Sequence, residues 1–239
     1  MKRWLPIAVL VLAVGAFLLW LRVQTSLPSA IVRGGAGPPN IVLLHGYGSN
    51  AEDWLQFSET VNLPPNGRFV FPNGPWRGPS GARGWWWLNI EGHVPKGERF
   101  PDFSVASPAG IKVASRLVRE FLEDVPEPIV LGGFSQGAML SGEIAFQSEQ
   151  PLAALVMLGG TTVNEAVWVE RFPGRRSLPI FIAHGRQDGV LPFAIADRFR
   201  TKLQAAGLDV TWVPFDGGHE IPPPVIRELN TFLAKHVSR

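Results

Sequence analysis

The sequence predicts an α/β fold, a mostly parallel central sheet with helices on both faces. Three observations predict it. Short apolar runs alternate with amphipathic stretches from about residue 40 onward. Most of those runs are continuously apolar, as strands buried on both faces of a parallel sheet are. The composition, 46% hydrophobic and 18% charged over 239 residues, suits one folded domain of ordinary size.

In chain order, Met1-Lys2-Arg3 precede an uncharged apolar run from Trp4 to Leu21. At about 1.5 Å per helical residue this run reaches across the hydrocarbon core of a bilayer. Residues 1–21 are therefore expected to be an uncleaved signal anchor. Lys2 and Arg3 keep the N-terminus in the cytoplasm and put the domain on the periplasmic, extracytoplasmic side of the cytoplasmic membrane. Arg22 and Arg33 weaken that charge bias without reversing it. The alternative is a signal peptide cleaved after Val14-Gly15-Ala16, giving a secreted protein, although the mature end would then begin Phe-Leu-Leu-Trp-Leu. A buried core helix is the third reading. Residues 22–39 read as a linker ending in Gly34-Gly35-Ala36-Gly37-Pro38-Pro39, and 40–239 as the folded domain.

Strands are expected at Ile41–Leu44, Phe69–Phe71, Ile129–Leu131, Leu155–Leu158, Ile180–Ala183 and Val210–Val213. Ser107-Pro108 has the form of an N-cap with proline at the first helical position. The helix after it would carry Ile111, Ala114, Leu117, Val118 and Phe121 on one face. Further helices are expected at Gln136–Ser148, Pro192–Ala206 and Pro223–His236. Residues 72–106, rich in Gly, Pro and Trp and without a period, read as a long functional loop.

Composition excludes several classes. A net charge of +2 with no basic stripe gives no footprint for nucleic acid. The chain has no cysteine, so disulfides, thiol nucleophiles and cysteine-ligated metal centres are ruled out.

The chemistry starts at "PIVLGGFSQGAML", Pro128–Leu140. Gly133-Phe134-Ser135-Gln136-Gly137 fits G-x-S-x-G, the nucleophile elbow, and lies between an expected strand and an expected helix. A tight turn there lifts the Ser135 hydroxyl above the carboxyl edge of the sheet. The Gln136 N–H, opening the helix, points where an oxyanion forms. A hydroxyl needs a base. In this order of elements the acid and then the histidine follow the serine. His236 lies near the chain end and reads as a surface residue, and His184 ends a strand and braces its loop. His219, in the glycine-rich loop after the last strand, is the expected base. Asp188, after the preceding strand, is the expected acid, with Asp216 in the histidine's own loop as competitor. The second oxyanion donor is expected from the Tyr47 N–H in His45-Gly46-Tyr47-Gly48, with His45 as a structural residue of that loop.

The set "LHGYGSNAEDW" (44–54), "FPNGP" (71–75), "GFSQGA" (133–138) and His184-Gly185…Asp188…Pro192 resembles the phospholipase/carboxylesterase family, the acyl-protein thioesterase-like branch of the α/β-hydrolases. The likeness runs in order from about Asn40 to Leu233. It implies the α/β-hydrolase fold, catalytic Ser135, Asp188 and His219, and an oxyanion hole from the Tyr47 and Gln136 amides. It also implies no metal and no organic cofactor, with small or lipid-like acyl esters or thioesters as substrates. The sequence departs from the family in its N-terminal apolar run and in Trp85-Trp86-Trp87, where relatives carry one tryptophan followed by an aromatic residue. If that triplet is extended, Trp85 and Trp87 face one side and Trp86 the other. Either it packs the long loop onto the body, or one or two of the rings wall an acyl or aryl pocket. Arg83 and His93 of the same loop either brace it or meet a substrate head group. The expectation is a membrane-anchored serine hydrolase. A peptidase or polysaccharide-deacylating esterase on the same triad and a non-catalytic binding module are the alternatives.

Overall fold

A computed structural model describes residues 27–89, 91–96, 101–105 and 107–237. The predicted anchor, 1–21, lies outside them. Among the described residues no helix is long and apolar enough to cross a membrane.

The main sheet has seven strands: β1 (Ala30–Gly34), β2 (Asn40–Leu44), β3 (Arg68–Pro72), β6 (Ile129–Phe134), β7 (Ala154–Leu158), β8 (Ile180–Gly185) and β9 (Val210–Phe215). A small hairpin, β4 (Trp76–Arg77) with β5 (Arg83–Gly84), stands apart. The spatial order is β1-β3-β2-β6-β7-β8-β9, parallel throughout except that β1 runs against β3. Helices are α1 (Trp54–Ser58), α2 (Ile111–Glu123), α3 (Gln136–Gln147), α4 (Glu165–Val169), α5 (Phe193–Ala205) and α6 (Pro223–Val237). This is the α/β-hydrolase fold the resemblance implied.

Alternation along the strands divides the core. Ile41 and Leu43 of β2 pack with Trp54 of α1 and with Val225, Leu229 and Phe232 of α6. Val42 and Leu44 pack with Ile111 and Val118 of α2, Ile144 of α3, Trp168 of α4 and Phe199 of α5. Successive side chains leave a strand on opposite faces, so each central strand feeds both layers and must be apolar throughout. Helix α3 is buried from Gln136 to Phe146 and so has no polar face to read. Its Glu143 accepts from Trp168 Nε1 at 2.7 Å, and burial holds that carboxyl above the usual range.

Several expectations needed correction. The stretch 22–39 is not wholly a linker, because Ala30–Gly34 forms β1 at the sheet edge. Its exposed positions, with Arg33 paired to Glu59 at 2.9 Å, hide the strand pattern. Ser107-Pro108 does not cap α2. The helix starts at Ile111, after Gly110 at φ 95°. A Cβ at Gly110 would lie 2.9 Å from the Trp86 Cβ, so the close approach of Trp86 dictates where the helix begins. Leu122 joins the buried face, with Phe121 partly buried against the same core. Helices α1 and α4 and the hairpin were not foreseen, being too short to show a period.

Candidate active site

Ser135 follows β6 directly, with φ 55° and ψ −118°, a conformation residues with side chains rarely adopt. Its N–H donates to Leu158 O of β7 at 2.9 Å, which fixes the turn from the neighbouring strand. The flanking glycines are dictated by clearance. A Cβ on Gly133 would lie 2.5 Å from Leu44 O, and one on Gly137 would lie 2.0 Å from the same atom. Strand β2 therefore presses directly against the elbow. Gln136 is the first residue of α3, so its N–H has no intrahelical acceptor, and it sits at the positive end of the helix.

Strands β8 and β9 bring the other polar groups to the same edge. Asp188, 6% exposed, follows β8. Its Oδ2 accepts from His219 Nδ1 at 2.7 Å, and its Oδ1 accepts the N–H groups of Val190 and Leu191, each at 2.8 Å. Burial pushes this carboxyl up. Hydrogen bonds from His184, His219 and Leu191, with the charge on His219, more than offset that and hold it well below the usual carboxylate range. Asp216 instead is 87% exposed in its side chain and pairs with Arg186 at 3.7 Å.

The His219 ring lies 4.7 Å from the Phe134 ring, beside the serine. A Cβ on Gly159, after β7, would lie 2.9 Å from Phe134 Cε2 and 3.5 Å from His219 Cε1, so β6, β7 and the histidine loop close on one point. The predicted serine, histidine and Asp188 thus share one sheet edge, and Asp216 stands outside the group.

The β2 loop reaches the same place. A Cβ on Gly46 would lie 3.4 Å from the Ser135 Cβ, which brings the Gly46–Tyr47 backbone alongside the serine. His45 is fully buried. Its Nε2 accepts the Gly74 N–H at 3.0 Å, so Nδ1 carries the proton and donates to Gly46 O at 2.8 Å. Burial lowers its pKa, and it serves as a neutral brace. His184 also braces a loop, with Nε2 2.9 Å from Leu191 O. His236 is half-buried, 3.9 Å from Asp209, rather than a free surface residue.

The tryptophan triplet is not extended. Trp85 and Trp86 are 2% and 3% exposed, while Trp87 is 63% exposed. The Gln136 side chain, which sequence reasoning missed, explains the bend: its Oε1 accepts the Trp85 N–H at 2.9 Å and its Nε2 donates to Trp86 O at 3.0 Å. Trp85 Nε1 donates to His45 O at 2.8 Å. The polar residue inside the elbow was a visible signal, but its partners lie about fifty residues away and no local pattern names them. The Tyr47 ring stacks on Trp76 at 4.9 Å and meets Trp87 edge-on at 6.2 Å. Arg83 donates to Gly74 O at 3.3 Å and His93 Nδ1 lies 2.6 Å from Asn89 O, so both stay within the loop.

Two clefts flank this arrangement. One, about 160 Å³, lies among Gly46, Trp54, Phe57, Phe134 and Ile221. The other, about 300 Å³, is walled by Pro75, Trp76, Trp85, Trp86, Trp87 and Val113. No cluster of side chains suited to a metal ion occurs among the described residues.

The phospholipase/carboxylesterase family profile matches residues 30–237. An acyl-protein thioesterase 1 of Gibberella zeae is 26% identical over 209 residues, covering 81% of this chain and 85% of that one. The crystal structure of esterase PE8 superposes with a TM-score of 0.75 at 25% identity, over 89% of this chain and all of that one. The structure of Zea mays acyl-protein thioesterase 2 superposes with a TM-score of 0.71 at 23% identity, over 87% and 98%.

Proposed function

The chain belongs to the phospholipase/carboxylesterase family, and from that premise we propose that it cleaves carboxylic ester or thioester bonds through an acyl-enzyme on Ser135. That it is a hydrolase of the carboxylesterase/thioesterase kind follows from the family. The observation that supports the finer reading is the conjunction at one sheet edge of a serine at φ 55° and an imidazole held 2.7 Å from a buried carboxylate.

With Nδ1–H engaged by Asp188, His219 keeps Nε2 for the serine proton. Ser135 Oγ bonds to the carbonyl carbon as Nε2 takes its proton, and the carbonyl π pair moves onto oxygen. The Tyr47 and Gln136 N–H groups receive that oxyanion, each such donor typically worth ~3 kcal/mol in the transition state. Collapse expels the alcohol or thiol, protonated by His219, and leaves the acyl-serine. Water then repeats the sequence and releases the acid. Asp188 stays ionised and holds the imidazole tautomer throughout.

The 160 Å³ cleft has the volume of a few waters at about 30 Å³ each, which suits a short acyl group. Trp76, Tyr47 and Trp87 offer an aromatic surface to a ring or chain on the other side. Residues 1–21 tether the domain to the cytoplasmic membrane on its extracytoplasmic side, a reading supported by the apolar run and by Lys2-Arg3.

A fluorophosphonate probe should label the wild-type protein and not Ser135→Ala, and the variant, still folded, should not hydrolyse p-nitrophenyl esters. Labelling or turnover of folded Ser135→Ala would sink the mechanism. Protease added outside intact spheroplasts should digest the domain, and full protection would overturn the topology.

A further inference from the structure

The triad leaves one buried polar side chain beside it unused. His184 is fully buried at the end of β8, and its Nε2 has two neighbours: Leu191 O at 2.9 Å and Asp188 Oδ2 at 3.3 Å. Both are acceptors, so Nε2 carries a proton and shares it between them. Nδ1 has no hydrogen-bond partner among the described residues. Phe193 closes one side at 6.1 Å. The Nε2–H is thus held beside the same carboxylate oxygen that accepts from His219.

We propose that His184 is a positioning residue for the proposed catalytic acid: its Nε2–H draws charge from Asp188 Oδ2 and thereby sets the pH at which His219 is free to act as base. The proposal rests on the reading of Asp188 and His219 as the acid and base of a Ser135 hydrolase. With two backbone amides on Oδ1 and two imidazoles on Oδ2, the carboxylate has a full set of donors. Removal of one donor concentrates charge on the oxygen facing His219, so that His219 holds its proton to higher pH. The charged groups facing this cluster are Arg186 on the β8 loop and Asp216 and Glu220 on the histidine loop. Arg186 and Asp216 offset each other at 3.7 Å with side chains at least half exposed, and Glu220 Oε1 accepts the Gly218 N–H at 3.3 Å. The segments after β6 and β7 that face His219, Ser135 and 159–164, carry no charge.

The test is the pH profile of kcat/KM on a short p-nitrophenyl ester, measured with the full chain in detergent. In His184→Leu the acidic limb should move to higher pH by about half a unit, a fraction of the roughly one to two units a hydrogen bond to a charged group is worth, because His219 feels the loss only through Asp188. His184→Gln, whose amide nitrogen reaches about as far as Nε2, should restore the wild-type limb. If the leucine variant does not fold, His184→Asn replaces it, since its amide stops short of Asp188. A purely structural role would lower the plateau without moving the limb. An unmoved limb in Leu or Asn, or equal shifts in Leu and Gln, overturns the proposal. Fluorophosphonate labelling of the same samples separates the two failures: loss of labelling in wild type removes the hydrolase reading, whereas intact labelling with an unmoved limb removes only the role of His184.

Discussion

The two flanks of Ser135 are built on different principles. On the β8–β9 side every oxygen of Asp188 has a donor, and the partners are backbone amides or imidazole rings. On the β2–β5 side the walls are aromatic faces, tied down at a few points: Gln136 to Trp85 and Trp86, Trp85 to His45, and the backbones of Ser49 and Arg83 to each other. Directional bonds fix a geometry to fractions of an ångström, while apolar contact tolerates sliding. The first flank suits a reaction with one permitted arrangement, and the second suits a choice among substrates.

Mutations can break that contrast, in descending order of effect. Asp188→Asn should lower kcat on p-nitrophenyl acetate by ~10⁴-fold with the fold intact, because the imidazole loses the partner that sets its tautomer. A loss below tenfold would move the acid elsewhere. Gln136→Ala keeps the backbone N–H but leaves buried Trp85 N–H and Trp86 O without partners, a cost of about 1–3 kcal/mol. Calorimetry should show it as a fall in Tm of several degrees, with kcat reduced less than tenfold. Trp87→Ala, at a site 63% exposed, should leave Tm unchanged and raise KM for aryl or longer acyl esters by ~3–10-fold at constant kcat. A drop in kcat with constant KM would put Trp87 in the chemistry instead. Asp216→Asn should change kcat/KM by no more than about twofold, since its pair with Arg186 is exposed.

How much of this was legible in the sequence also divides by flank. The strands β2, β6, β7 and β8 stood out because burial on both faces leaves an uninterrupted apolar run. The Ser135, Asp188 and His219 positions followed from their order along the chain, and the structure brings them to one edge. The edge strand β1 was hidden because three of its five residues face solvent. The start of α2 was misplaced because it depends on Gly110 clearing Trp86, a contact across the fold rather than a local cap. The bend of Trp85–Trp86 and the second donor on Asp188 were illegible for the same reason: each needs a pairing that only tertiary structure creates.

Gln136 occupies both worlds at once. Its main chain belongs to the reaction as proposed, and its side chain grips the aromatic wall of the larger cleft. A guest that displaces Trp85 or Trp86 therefore tugs on the residue next to Ser135, like a cord fastened to a tuning peg. For anyone evolving new selectivity into this scaffold, the practical result is coupling. Changes at Trp85 or Trp86 will show up as altered turnover, and second-site compensations should collect at position 136.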